Sequence, residues 1–379
     1  MSGEKRLFLL DGMPLLYRGH FIFMRAPRLT ARGLNTSALY GLANSLLQIL
    51  ESEKPTHVAL VFDRAEPTFR HLRYPEYKAQ REEMPEDIAR SIPLTHELAE
   101  ALRIPLITCA GFEADDVMGT LATRAEAEGF TTYLVTPDKD FAQLVSPHTF
   151  LYRPGKGSDR AEIMGIPEVL AHWGLQRIDQ MVDILGLAGD ATDNIPGVPG
   201  VGDKTAVKLL QQFGSLEQIL ASTDQLKGKQ RENLETYADQ ARLSRELATI
   251  ARNAPVELSL DALAVREPDR VRLAELLREW EFVTLGKRLL GSSFSLAGPA
   301  AVPSAPAAPR QGELAMGFDP VPAVVSDRAD AEASAAAGDE PVAAAPAADE
   351  LAGRAFRTIH EVPHAYRLIE TAAARQDLA

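Results

Sequence analysis

The sequence predicts an α/β fold with a mostly parallel central sheet and helices on both faces, followed by a helical subdomain and a disordered linker. Three observations carry this reading. Short apolar runs that finish in an acid alternate with stretches of helical apolar spacing, the pattern of a parallel sheet covered by helices. A glycine-rich hairpin then separates two further helical patterns, and the tail becomes Ala/Pro-rich without any period.

Residues 6–10 are a buried strand that ends in Asp11-Gly12, an acid and a turn former. Residues 37–50 have helical spacing, and residues 56–62 form a second strand that finishes in Asp63. Residues 64–95 are a charge-mixed excursion rich in Arg, Lys, Glu and Pro. Its acids suit a solvated surface, whereas Lys78 and Arg81, one turn apart, suit paired phosphate contacts, with Tyr77 placed to stack on a base. Glu113-Ala114-Asp115-Asp116 opens a helix whose apolar positions are Val117, Leu121 and Ala125. Acids in a first turn are ordinarily caps that complement the helix dipole. A third strand, residues 131–136, leads into Asp138-Lys139-Asp140. In such sheets ligands bind outside the carboxyl ends of the strands, so three strands deliver acids to one edge.

Farther on, Asp190 and Asp193 are three residues apart, a spacing that lets two carboxylates converge on a helical turn. Residues 197–205 resemble a nucleotide-binding P-loop only superficially, because Asp203 separates Gly202 from Lys204. The better reading is a helix, a tight hairpin through Gly200 and Gly202, and a second helix from Lys204 and Thr205, whose amides can approach a phosphate closely. Residues 215–290 are helical, with Trp280 and Phe282 as core residues.

A hydrophobic content of 45% in 379 residues is enough for a sizeable core. The single cysteine, Cys109, rules out an intrachain disulfide and suits a reducing, cytoplasmic setting. No apolar run approaches membrane length, so no membrane partner is expected. The net charge of −13 argues at face value against nucleic acid. Residues 292–379 hold 6 Lys and Arg against 12 Asp and Glu, a net −6 that leaves −7 for the body.

Any one strand-end aspartate is more often a turn former than a ligand. Asp11, Asp63, Glu113, Asp115, Asp116, Asp138, Asp140, Asp190 and Asp193 at one sheet edge are different, because unneutralised they would repel. All-oxygen donors without clustered His or Cys favour Mg²⁺ or Mn²⁺ over zinc. Two such ions suit hydrolysis of a phosphodiester, with Lys78 and Arg81 stabilising transition-state charge. An Asp-x-Asp phosphatase is disfavoured because Gly12 and Met13 follow Asp11. A non-cutting DNA-binding module and an RNA-processing nuclease are the alternatives.

Leu10-Asp11-Gly12, Val61-Phe62-Asp63, Phe69-Arg70-His71, Tyr77-Lys78, Glu113-Ala114-Asp115-Asp116, Asp138-Lys139-Asp140, Gly189-Asp190-Ala191-Thr192-Asp193-Asn194 and Pro199-Gly200-Val201-Gly202 occur in order. Over residues 5–290 this set closely resembles the 5′-to-3′ exonuclease domains of bacterial DNA polymerase I, within the flap endonuclease family. The resemblance implies a PIN-like fold, with Asp11, Asp63, Glu113 and Asp115 around a first ion and Asp140, Asp190 and Asp193 around a second. Asp116 and Asp138 would lie close by, and Asp115, Asp140, Lys78 and Arg81 would be catalytic. Arg70, Tyr77, Lys78, Arg81, Gly200, Gly202, Lys204 and Thr205 would contact DNA, with K⁺ at the helix-hairpin-helix.

The implied organisation is an α/β nuclease domain over residues 1–167, with a helical arch at about 64–95, and a helical subdomain over 168–291. A linker over 292–353 and the start of a truncated proofreading-exonuclease-like domain over 354–379 would follow. The expected partner is DNA carrying 5′ flaps, nicks or RNA primers. The chain is expected to be monomeric, with polymerase domains in cis only in a longer protein and no polymerase activity in this fragment.

Overall fold

The computed structural model describes residues 4–154 and 161–297. The expected truncated domain, and the expected linker from residue 298 on, lie outside the described residues. The first elements are β1 (Lys5–Asp11), α1 (Gly12–Phe23), α2 (Ser37–Ser52), β2 (His57–Val61), α3 (Phe69–Arg73), α4 (Glu86–Leu102), β3 (Leu106–Ile107), α5 (Ala114–Ala127), β4 (Phe130–Val135), β5 (Thr149–Arg153) and β6 (Glu162–Met164). After these come α6 (Ile166–Trp173), α7 (Gln180–Ala188), α8 (Asp203–Phe213), α9 (Leu216–Ala221), α10 (Gly228–Thr236), α11 (Ala238–Ala248), α12 (Arg270–Glu279) and α13 (Val283–Leu290).

The strands form one sheet in the order β3-β2-β1-β4-β5-β6. Its first five strands run parallel, and β6 pairs antiparallel with β5. β1 is central and reads Leu7-Phe8-Leu9-Leu10 because both faces of a covered parallel sheet are dry. Its alternate side chains enter different cores. Leu7 and Leu9 pack with Val117 and Leu121 of α5, whereas Phe8 and Leu10 pack with Leu39 and Leu42 of α2 and Leu98 of α4.

From β1 the chain continues to β2 on one side and later to β4 on the other, so the strand order reverses between β1 and β4. Asp11 ends β1 at that switch point, where ligands of open α/β sheets bind. Glycine is required next to it, since a Cβ on Gly12 would lie 2.1 Å from the Phe62 ring. The close approach keeps Asp11 and Asp63 on neighbouring strand ends.

Two boundaries differ from the sequence expectation. Residues 86–95 do not belong to an excursion; they start α4, whose Ile88, Ser91 and Thr95 are buried. Residues 270–290 do not stay with the helical subdomain. Leu273, Leu276, Leu277, Trp280, Phe282 and Leu285 return to the core that holds Phe8, Leu39 and Leu98. Helical spacing marks which face is apolar, not which element covers it. Between these parts, α7 packs against α8 and α11, with α7 and α8 flanking the glycine hairpin.

Because Trp280 is a core residue of the sheet layer, Trp280→Ala is expected to cost about 3–5 kcal/mol. The loss should appear in the same cooperative urea transition as the sheet. Separate melting of residues 270–290 would contradict this packing.

Candidate active site

The acids gather at the carboxyl edge of the sheet. Asp11 is buried, and its Oδ2 accepts a hydrogen bond from the Thr136 hydroxyl at 3.0 Å. Asp63 follows β2 and opens to solvent, while its Oδ1 accepts the Ala114 amide at 2.8 Å, tying it to the first turn of α5. Glu113 caps α5. Asp138 starts a 3-10 turn over Lys139–Leu144, and its Oδ1 accepts the Asp140 amide at 2.9 Å. Asp190 and Asp193 lie in a turn rather than on a helix. Gly189 (φ +73°) ends α7, and Asp190 and Ile195 exchange backbone hydrogen bonds across the turn. A Cβ at Gly189 would come within 2.3 Å of the Ile195 carbonyl.

Burial and mutual repulsion shape the titration of the group. Burial and then Asp63 push Asp11 well above the carboxylate range, and burial and then Asp11 do the same to Asp115. Loss of hydration among the crowded acids raises Asp63 and Asp138, and the same loss with Asp138 pushes Asp140 up to about 8. Asp190 is the exception. Burial raises it, but Lys139 at 3.1 Å and the Thr192 amide outweigh burial and leave it below its ordinary value.

Cations and a phenol cover part of the array. Lys78 Nζ donates to Glu113 Oε1 at 2.8 Å and lies 3.6 Å from Asp193 Oδ2. Arg81 pairs with Asp193, and the Tyr77 hydroxyl donates to Glu113 Oε2 at 3.0 Å and Asp193 Oδ2 at 3.1 Å. Residues 63–68, His71, Lys78, Arg81 and Glu113 line a cleft of about 230 Å³. Gly200, Gly202 and Lys204 are exposed and Thr205 half-buried around the start of α8, where a helix amino terminus faces outward.

Three expectations do not hold. Asp116 is fully buried; Arg70 binds it through Nη1 and Nη2 at 2.7 and 2.8 Å, and the Glu113 and Ala251 amides complete its partners. It is a structural anchor, with no oxygen left for a cation. Arg70 is buried as well and also donates to the Leu247 and Thr249 carbonyls, so it does not face DNA. Tyr77 is buried beneath the acids and cannot stack on a base. Sequence reasoning missed Thr136 and Lys139, although Lys139 stood visibly between two acids.

The donor set suits hard divalent ions: all oxygen, crowded, and with the buried Asp140 Oδ1 lacking a hydrogen-bond partner among the described residues. Among the described residues no three acids close into a ready-made cage, so this is an open array of donors.

The family model described as 5′-3′ exonuclease, N-terminal resolvase-like domain matches residues 6–174. The one described as 5′-3′ exonuclease, C-terminal SAM fold matches residues 177–271. The chain belongs to the 5′-3′ exonuclease family. It is 44% identical over 281 residues to DNA polymerase I of Bacillus caldotenax, covering 74% of this chain and 32% of that one. To DNA polymerase I of Bacillus subtilis it is 41% identical over 291 residues, 76% of this chain and 33% of that one. The chain thus spans about a third of the length of these relatives. The family's fold also matches the solved structure of the bacteriophage T5 D15 flap endonuclease, a complex with DNA and metal ions. That match has a TM-score of 0.54 at 21% identity and covers 73% of this chain and 99% of the other.

Asp116→Ala strands a buried guanidinium and is expected to cost about 3–5 kcal/mol in urea denaturation. Asp115→Asn, which relieves repulsion, should cost nothing in the same measurement without divalent metal. Equal losses would contradict the division between anchor and array.

The folded-state pKa of Asp140, about 8, exceeds the ordinary 3.8, so its proton stabilises the fold fully below about pH 4. That stability declines as pH rises and is gone above about 8. Asp140→Asn escapes the loss. Its metal-free stability relative to the parent should therefore rise from pH 5 to pH 8, and a flat difference would refute the burial of this charge.

Proposed function

We propose that this exonuclease domain hydrolyses phosphodiester bonds at 5′ flaps, nicks and RNA primers with two bound Mg²⁺ (or Mn²⁺) ions. The observation that carries this is the unpartnered Asp140 Oδ1, buried among carboxylates that repel one another. On this reading Asp11, Asp63, Glu113 and Asp115 hold the first ion and Asp140, Asp190 and Asp193 the second, with Asp138 acting through water. The ions, when bound, supply an activated water and charge stabilisation at the leaving oxygen.

The remaining work falls to the chain's own side chains. Thr136 fixes the Asp11 carboxylate, and the Tyr77 hydroxyl sets Glu113 and Asp193 relative to each other. Lys78 and Arg81 stand at the mouth of the cleft, where they stabilise charge that develops on a phosphate. The exposed amides around Gly200 and Gly202, with Lys204 and Thr205, suit the backbone of a duplex rather than its base edges, with K⁺ as a bridge. A monomeric state, with polymerase domains in cis only in a longer protein, completes the proposal.

Purified protein should cut a 5′-flap substrate only when divalent metal is restored, and Asp115→Asn should bind the flap yet lose cutting by at least about a hundredfold. Lys78→Ala should slow cleavage by more than it weakens binding. A metal-independent cut, or full activity in Asp115→Asn, would sink the assignment.

A further inference from the structure

Among the described residues, Lys139 is the one cation whose place in the array the proposed chemistry leaves unused. It lies between Asp138 and Asp140 at the start of the 3-10 turn, and its side chain pairs with Asp190 Oδ2 at 3.1 Å. The other oxygen, Oδ1, accepts the Thr192 amide at 2.7 Å, so both oxygens of Asp190 are engaged. Asp203, the first residue of α8, adds negative charge within reach of Lys139. Lys139 therefore stands where the acid cleft meets the start of the hairpin's second helix.

The two lysines of the array are held differently. Lys78 is anchored by two carboxylates and by its backbone amide, which donates to the Asp193 carbonyl at 3.0 Å, and its side chain is only 16% exposed. Lys139 has one carboxylate partner and a side chain 47% exposed. An ion pair this open is weakly held, and a divalent cation outcompetes a single ammonium for a carboxylate that other acids also face. A long, flexible stem then lets the released ammonium turn outward without any backbone movement.

We propose that Lys139 is a resident counter-cation of Asp190 that yields to a divalent ion and then contacts a DNA phosphate between the cleft and the glycine hairpin. The proposal rests on Asp190 being an ion ligand, as assigned above. It makes Lys139 a positioning residue whose two roles have opposite signs. Removing the ammonium removes a competitor for Asp190 and also a phosphate contact.

The test is calorimetric titration of the full chain with Mg²⁺, comparing the parent with Lys139→Met, Lys139→Arg and Asp190→Asn. Lys139→Met should bind the weaker ion about three to ten times more tightly, whereas Lys139→Arg, which keeps the charge, should stay near the parent. In Ca²⁺, Lys139→Met should bind 5′-flap DNA about three to ten times more weakly by fluorescence anisotropy. Its salt dependence should fall by about one unit of slope, which Lys139→Arg restores. If Asp190→Asn titrates like the parent, the ligand assignment fails and the role of Lys139 fails with it. If Asp190→Asn loses ion binding while Lys139→Met binds ions no better or worse than the parent, only the role of Lys139 is overturned, and Lys139 merely holds Asp190 in place.

Discussion

Repulsion among carboxylates crowded on one sheet edge is the constraint to which the rest of this structure answers. Two like charges about 4 Å apart at a protein surface repel by about 4 kcal/mol. Burial raises Asp11, Asp115, Asp138 and Asp140, so the fold holds them against a gradient that favours dispersal. What pins them is the buried backbone that carries them. Asp11 ends a strand with both faces buried, Asp63 is pressed beside it through the Gly12–Phe62 contact, and Glu113 caps a helix buried along Val117 and Leu121.

Neutralisation is divided among three sources. The amino terminus of α5 places its dipole beneath Asp115, and its amides satisfy Asp63. Lys78 and Arg81, from the loop after α3, cover Glu113 and Asp193, and Lys139 covers Asp190. Among the described residues Asp11, Asp63, Asp115, Asp138 and Asp140 have no salt-bridge partner, and all five are pushed upward. The array is thus sorted into acids served by side chains and acids left for another cation.

The strand-end acids were legible in the sequence because strand, turn and acid are local signals, and their convergence follows from parallel topology alone. Spacing alone does not distinguish Asp116 from Asp115, since the difference lies in partners far along the chain. A trace was present nonetheless. Asp116, Gly119 and Thr120 form a strip of small and polar residues on α5, and residues 250–254 lie against it. Ala251 donates its amide to Asp116 and Ala254 to Thr120, and a Cβ on Gly119 would meet Ile250 at 2.9 Å. Arg70 and Tyr77 were read as surface residues because their neighbours are charged. Tyr77 is buried where the loop after α3 meets Glu113 and Asp193, and Arg70 where α3 meets Asp116 and residues 247–249, contacts that no short-range pattern records.

The same sorting resolves the tension between a net charge of −13 and membership of a family of nucleases. A net −6 of that charge belongs to residues 292–379. At the sheet edge the carboxylates are opposed by side-chain cations or drawn toward protonation, which weakens the field that an approaching phosphate backbone meets. Around the site Arg81, Lys139 and Lys204 are exposed, beside the exposed Asp63 and Asp203. On the proposed two-ion reading, each ion taken up by the array would cancel further charge there and free cations now spent on carboxylates. Metal loading and affinity for a polyanion would then be coupled through Lys78, Arg81 and Lys139, with no change of fold required.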